Sequence, residues 1–316
     1  MLKNQAIIKT VVKNMGGTFE KIIPERNYFY IKINNERIFI NRKFVINNSF
    51  FSRKQLTNFK DLTYILLKEN NIPTPKTTCF YRETLNKINL EENLKQLSFP
   101  IVIKDANGSN SLGVFVNIET LEEAKKIILQ EIKKYSCLLA QEMIFGKEYR
   151  VLILENKAIG VLEMIPPRIF GNGKNTVKEL IEKKQKKTKK TPFNNALVKI
   201  LNEQKEKLTS VPKEGKEIFF KKNSCLSEGG ETKDATAIIN KEIVSLCVEV
   251  AKIVDKKLVG LDIVCDDIRK KTSEQNFNVI EANRRPDIYI HYNPTFGETR
   301  NVVKNIVEFI LKLKKL

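Results

Sequence analysis

LVGLDIVCDDIRKKTSEQNFNVIEANRRP, residues 258–286, contains two apolar, β-branched runs, Val259 to Cys265 and Phe277 to Ala282, separated by a charged, polar segment. That pattern predicts two strands joined by a loop. Three oxygen-bearing side chains interrupt the runs. Asp262 breaks the first, while Glu281 and Asn283 are two apart in the second and so share a face, because strand side chains alternate. If the strands pair, the three converge. An unpartnered buried carboxylate is too costly to keep, so two carboxylates and an amide on one inner face point to a cation between them. All-oxygen ligands suit Mg²⁺, which takes one or two carboxylates and draws the rest of its shell from water and substrate phosphates. The other reading open from these residues is a solvated sheet face, or salt bridges from Asp262 and Glu281 to Arg284, Arg285 or a lysine.

The chain of 316 residues is 41% hydrophobic, enough to bury a sizeable core in one large domain or two to three lobes. No signal-peptide pattern is present and no apolar run reaches the ~20 residues that span a bilayer, so a cytoplasmic location without membrane contact is expected. The five cysteines stand singly with no CxxC spacing, which argues against a disulfide framework or a zinc site. One histidine, His291, excludes a multi-histidine metal centre, and no GxSxG elbow occurs. The formal charge of +19 permits nucleic-acid binding but equally fits an enzyme of phosphates and carboxylates. Lysine is spread along the whole chain and no nucleic-acid reader motif appears, so nucleic acid is not the expected partner. Only Lys183 to Lys190, KKQKKTKK, is a dense basic run, read as a solvated helix face or loop.

Working outward, NYFYIKINNERIFINRKFVI (27–46) reads as a hairpin about Asn34-Asn35-Glu36 followed by a further strand, giving a short β lobe over residues 1–56. KDLTYILLKEN (60–70) reads as a helix stopped before Ile72-Pro73. Then come a strand at 99–104, a second through Phe115 and Val116, a helix over 121–135, a strand at 137–141 and a hairpin of 150–154 with 158–164. Residues 176–208 are lysine-rich and helical by pattern, broken at Thr191-Pro192. A strand at 219 leads into a glycine-containing loop, residues 240–256 form an amphipathic helix, and 301–313 close the chain as another. The order predicts an α+β fold with antiparallel sheet.

GSNSLGV (108–114) is a small-residue loop between strands whose backbone N–H groups could lie along phosphate oxygens, with Lys104 adding charge. It is not a Walker loop, since GKS/T is missing, and taken alone it reads first as a structural turn. LLAQEMIFGKEYR (138–150) places Gln141, Glu142 and Glu148 on a connector that could line a purine pocket, or could be a surface hairpin.

The order of these pieces, with GNGKNTVKEL (171–180), KKNSCLSEGGETKDAT (221–236), GLDIVCDD (260–267) and VIEANRRPDIYIHYNPTFGETRNV (279–302), resembles the ATP-grasp superfamily of carboxylate–amine ligases over roughly residues 57 to 312. The similarity is to the ATP-grasp regions of cyanophycin synthetase and bifunctional glutathione synthetases. It implies an ATP-grasp fold, two α+β lobes clamping ATP, in residues 57–316, with a lid lobe at about 100–160 and a metal-binding lobe at about 161–316. It implies ATP with Mg²⁺, or Mn²⁺ in its place, as cofactors. Lys60 and Lys104 would contact the nucleotide phosphates. Gly108, Ser109, Asn110, Ser111 and Gly113 would form the phosphate loop, Gln141, Glu142, Met143 and Ile144 the adenine connector, and Glu148 the ribose ligand. Asp262, Glu281 and Asn283 would hold the metal, Arg150 and Lys222 would face the transferred phosphoryl group, and Ser227, Gly229 and Gly230 the acceptor. Arg284, Arg285 and Arg300 are candidates to clamp substrate carboxylates through the guanidinium fork, or to form structural salt bridges.

The sequence departs from the family at Gln141 in the adenine connector and otherwise around the acceptor side. Gln141 stands where an acid is usual, Met164 and Arg168 replace Arg and Asn or His, Cys225 replaces Asn, and Arg284-Arg285 replaces the Phe-Asn of glutathione synthetases. The chemistry implied is phosphorylation of a carboxylate by ATP and attack of an amine on the acylphosphate, with amino acids or small peptides as substrates. A peptide or protein acceptor docked on Lys183–Lys190, or a nucleotide-binding regulator without ligation, are the alternatives. Because the N-terminal lobe is short for this superfamily, a homodimer that completes the site is the expected assembly; sedimentation showing a fully active monomer rules it out.

Overall fold

The computed structural model of the chain describes residues 3–23, 28–41, 60–108, 113–188 and 191–313. Helix α1 (Lys3–Asn14) is absent from the sequence reading. It buries Ile7, Ile8, Val11 and Val12 along one face, a helical spacing that the strand-rich segment after it obscured. Strands β1 (Thr18–Ile23), β2 (Tyr28–Ile33) and β3 (Glu36–Asn41) form an antiparallel sheet in that order. The β2–β3 hairpin turns through Asn34 and Asn35 at φ 49° and 62°, the two left-handed positions that a type I′ turn requires and that asparagine tolerates. The strand expected after the hairpin falls at 42–59, outside the described residues; the sheet's third strand is β1, before it.

Helix α2 (Lys60–Glu69) follows the reading, and Asn71 at φ 57° lies just past its end. Next come β4 (Thr77–Tyr81), α3 (Leu90–Lys95), β5 (Ile101–Asp105), β6 (Val114–Ile118), α4 (Leu121–Glu131) and β7 (Cys137–Glu142). The four strands make an antiparallel sheet in the order β4-β7-β5-β6. Leu94 of α3 and Ala124 and Ile128 of α4 bury Phe80, Ile101, Ile103, Ile118, Leu138 and Ala140 on one face of it. Thr120 caps α4 by accepting from the Glu123 N–H at 3.2 Å.

The remaining elements are β8 (Lys147–Leu154), β9 (Lys157–Ile165), β10 (Arg168–Phe170), α5 (Val177–Lys184), α6 (Asn195–Glu203), β11 (Glu217–Phe219), β12 (Glu231–Asp234), α7 (Lys241–Ile253), β13 (Leu258–Cys265), β14 (Phe277–Asn283), α8 (Tyr289–Tyr292) and α9 (Val302–Leu313). The strand order β12-β9-β8-β13-β14 puts β13 between two antiparallel neighbours. All eight of its residues are buried. Val259, Leu261, Ile263 and Cys265 pack with Tyr149, Val151 and Ile153 of β8 against Ile243, Cys247, Val250 and Val254 of the α7 region. On the opposite face Leu152 and Leu154 join Leu258, α1 and α9 in a second core.

By contacts the chain divides into two units, one of residues 1–162, 234–293 and 298–316, the other of 163–233 and 294–297. The second has its own core of Ile169, Val177, Ile181, Leu197, Leu201, Ile218 and Phe220. Among the described residues no helix is long and apolar enough to cross a membrane, and all five cysteines are free.

His291 on α8 is fully buried with neither ring nitrogen hydrogen-bonded. It fits because residue 160 is glycine, where a Cβ would stand 2.6 Å from Nδ1. Burial pushes the imidazole down to about 3, with the Arg150 charge adding and Asp234 opposing. The folded protein thus stays unprotonated at this site while the unfolded chain binds a proton below the ordinary value of 6.5. Stability from this residue is therefore intact above that value and is lost as the pH falls toward 3, at about 1.4 kcal/mol per pH unit. Urea midpoints of wild type and His291→Asn between pH 7 and 4 should converge or cross as the pH drops; parallel curves would refute the prediction.

Candidate nucleotide and metal site

Register sets the centre of the site. On β13 Asp262 lies opposite Arg150 of β8 on one side and Glu281 of β14 on the other, so the three side chains form one row across adjacent strands. A shift in the ladder just after Asp262 leaves Ile280 unpaired, and Asn283, opposite Gly260, follows Glu281 on the same face. Arg150 grips both Asp262 oxygens, Nε to Oδ1 and a terminal nitrogen to Oδ2 at 3.0 Å, and the Asn283 amide donates to Oδ2 at 2.9 Å. Gly260 makes the approach feasible, since a Cβ there would meet Pro286 at 2.9 Å and Arg150 Cδ at 3.3 Å.

Glu281 stands 3.6 Å from Lys60 Nζ at the start of α2, and Lys60 Nζ also donates to the carbonyl of Gly108. On the other sheet Lys104 Nζ donates to Gln141 Oε1 at 2.8 Å, and Gln141 Nε2 to Thr77 Oγ1 at 2.8 Å. Burial pushes Lys104 below the usual lysine range, against the pull of Glu281. Lys60, Lys104, Gln141 and Glu281 line a cleft of about 380 Å³ open to solvent, walled by Leu139, Val279 and Ile280 and by Thr63, Tyr64 and Leu67 of α2. The α2 residues 60, 63, 64 and 67 are a helical stripe, a signal readable from sequence once the first of them is placed in the cleft.

The donor set suits a hard divalent cation. Two carboxylates directly opposite each other repel. Burial pushes the Asp262 carboxyl above its ordinary range, Arg150 opposes that shift, and Glu281 adds to it. Among the described residues no group of three or more His, Cys, Asp or Glu side chains could hold a metal.

Other sequence candidates fall in several places. Gly113 (φ 69°) flanks residues 109–112; Ser109, Asn110 and Ser111 lie outside the described residues. Glu142 accepts from the Ser98 N–H at 2.8 Å and the Met143 N–H donates to the Pro100 carbonyl at 3.0 Å; Ile144 follows in the same connector. Glu148 shares the Arg150 face two residues earlier on β8. Arg300 is held by Asp234 through Nε at 3.1 Å and a terminal nitrogen at 2.6 Å, with Glu298 at 3.0 Å; the sequence reading missed Asp234. Arg284 follows the end of β14, lowered by burial and by Arg285 beside it, and its charge bears on Lys256 past α7. In the second unit Lys222 pairs with Glu203 at 3.0 Å, while Ser227, Gly229 and Gly230 share one short loop with Cys225, whose Sγ is 3.2 Å from Ser227 Oγ.

The mixed helices and antiparallel sheets are those of an α+β ATP-grasp fold. Residues 66–213 match the family model for the D-Ala–D-Ala ligase C-terminus, an ATP-grasp domain. It is 31% identical over 267 residues to the glutathione biosynthesis bifunctional protein GshAB of Clostridium perfringens, covering 79% of this chain and 33% of that protein. It is 29% identical over 263 residues to cyanophycin synthetase of Nostoc sp., covering 79% and 29%. The chain thus spans about a third of the length of these curated relatives. In structure it is similar to a bifunctional glutathione synthetase from Pasteurella multocida (TM-score 0.69, 20% identity, 98% of this chain and 43% of that one). A D-alanine–D-alanine ligase from Bacillus anthracis matches at TM-score 0.50 and 15% identity over 83% and 70%.

Arg150 and Asp262 keep only 17% and 12% of their side-chain surface exposed. Removing one partner of such a pair strands the other charge at a cost of about 3–5 kcal/mol. Arg150→Met should therefore lower unfolding free energy in urea by about 3 kcal/mol and Arg150→Lys by less; equal midpoints for all three proteins would show that the pair contributes nothing.

Proposed function

We propose that the protein is an ATP- and Mg²⁺-dependent ligase that joins the carboxylate of an amino acid or small peptide to an amine, releasing ADP and phosphate. The observation that carries the reading is the Arg150–Asp262–Glu281 row beside a cleft lined by Lys60 and Lys104. Asp262, Glu281 and Asn283 would hold the metal ion, which supplies charge neutralisation to phosphate oxygens when bound. Lys60 and Lys104 bind phosphates, Gln141 to Ile144 border the base, and Glu148 accepts from the ribose. The phosphate-loop role that the resemblance gives to residues 108–113, keeping water from the acylphosphate, belongs to the same proposal. Arg150, which holds Asp262 in this structure, would turn its fork to the transferred group and stabilise the charge on its oxygens. The amine then attacks the acyl carbon, and phosphate leaves. Lys222 and the clamping role of Arg284, Arg285 and Arg300 belong to the same proposal, as do the lobe borders at 56 and about 160, the cytoplasmic location and the homodimer.

The test is ADP release by purified protein with Mg²⁺, ATP and pooled amino acids and dipeptides, with mass spectrometry of products. A new mass equal to two pool members less water is expected, reduced at least ~100-fold in Glu281→Ala, since one transition-state charge contact is worth about that much. Nucleotide binding without any such product from small-molecule or acidic-peptide pools would leave a nucleotide-binding protein and sink the ligase.

A further inference from the structure

The loop that the ligase reading gives to the acceptor, residues 225–230, is closed on itself. The Glu228 and Gly230 N–H groups both donate to the Cys225 carbonyl, at 3.0 and 3.1 Å. Gly229 sits at φ 99°, and a Cβ on Gly230 would stand 2.8 Å from the Ser224 carbonyl oxygen. A side chain would be strained at Gly229 and would clash at Gly230. Such a turn has a shape of its own, but its orientation depends on what holds its ends.

Its exit is pinned by charge. Glu231, the next residue, accepts from Arg168 Nε through Oε2 at 2.8 Å and from Lys184 Nζ through Oε1 at 2.5 Å. Arg168 pairs on its other side with Glu217, and its guanidinium lies 5.2 and 5.6 Å from the ring centroids of Phe170 and Phe296. Thr232 then exchanges N–H···Oγ1 bonds of 3.0 Å with Thr295, and its carbonyl accepts from the Phe296 N–H at 2.9 Å. Lys184 Cε and Thr188 Oγ1 reach to within 3.7 and 3.8 Å of the point where a Gly229 Cβ would be. One lysine of the basic run is therefore a structural member of the second unit. Glu231 and Arg168 expose 14% and 17% of their side chains, and Arg168 stands where the sequence departs from the family pattern.

We infer that the Arg168–Glu231–Lys184 clamp orients the 225–230 loop and thereby sets the affinity for the amine-bearing acceptor. The three are positioning residues, acting through Ser227 and the loop backbone; the inference rests on the ligase reading. In Glu231→Gln the carboxylate's hold on both cations is lost while the shape is kept. The KM for the acceptor should rise about tenfold, with kcat and the KM for ATP within about twofold. Arg168→Lys keeps the charge without the fork or the stacking surface and should give an intermediate rise of about threefold. Amide exchange over residues 225–230 should quicken in both variants and stay unchanged over 258–283. If Glu231→Gln fails to fold, Arg168→Lys decides. An active wild type whose variants keep its acceptor KM, or lose ATP and acceptor affinity alike, overturns this inference alone. A wild type that forms no amide with any pool overturns the ligase reading, and the acceptor role with it.

Discussion

The register of β13 is the constraint on which the site depends. Because side chains alternate along a strand, a slip of one residue against β8 or β14 would turn Asp262 away from Arg150 and Glu281 and bring apolar side chains into the row. That register is enforced from the other face. Val259, Leu261 and Ile263 are each fully buried in the core beneath α7, and at roughly 1.5–3 kcal/mol for each such side chain a slip would cost more than the polar row could return. The polar row is thus held by apolar residues that never touch it. The bulge after Asp262 allows the same strand pair to keep Ile263 opposite Val279 while Glu281 stays beside Asp262.

Much of this was legible in residues 258–286. Two apolar runs with acids at 262 and 281 sufficed to predict the strand pair and the meeting of its carboxylates. What could not be read was how the acids are held before any ligand arrives. Arg150 is 112 residues away in sequence, and nothing local marks it as the partner of Asp262. From the sequence Arg300 stays open between a substrate clamp and a structural salt bridge, because its partner Asp234 lies in a polar stretch with no periodic pattern. Helix α1 was missed for a different reason: its four apolar residues fall in pairs, and the hairpin signal that follows dominated the segment. Gly160 and His291 give no signal separately, since a glycine in a strand and a histidine near a chain end each have many explanations until they are adjacent in space.

The electrostatics of the two units differ in kind. In the second unit the charges around the 225–230 loop are matched: Arg168 and Lys184 meet Glu217 and Glu231, Lys221 meets Glu228, and Lys222 meets Glu203. Matched, half-buried pairs of this kind fix geometry more than they add stability. They suit a segment whose task is to stay in place.

In the first unit the charges converge on one row. Lys60, Lys104 and Arg150 stand about Asp262 and Glu281, each of which feels more than one of the cations, and Glu148 also acts on Arg150. Lys104 is nearly fully buried, and keeping an ammonium there works against its solvation. A divalent cation between the carboxylates would add positive charge that these acids do not match, so the arrangement is at its least favourable with metal alone. It becomes favourable when a polyanion enters with the metal, because phosphate oxygens can meet Lys60, Lys104 and the ion together. The added positive charge is then met by the ligand instead of by the fold. This is the physical reason for expecting the metal and a nucleotide to bind this cleft cooperatively, each weak without the other.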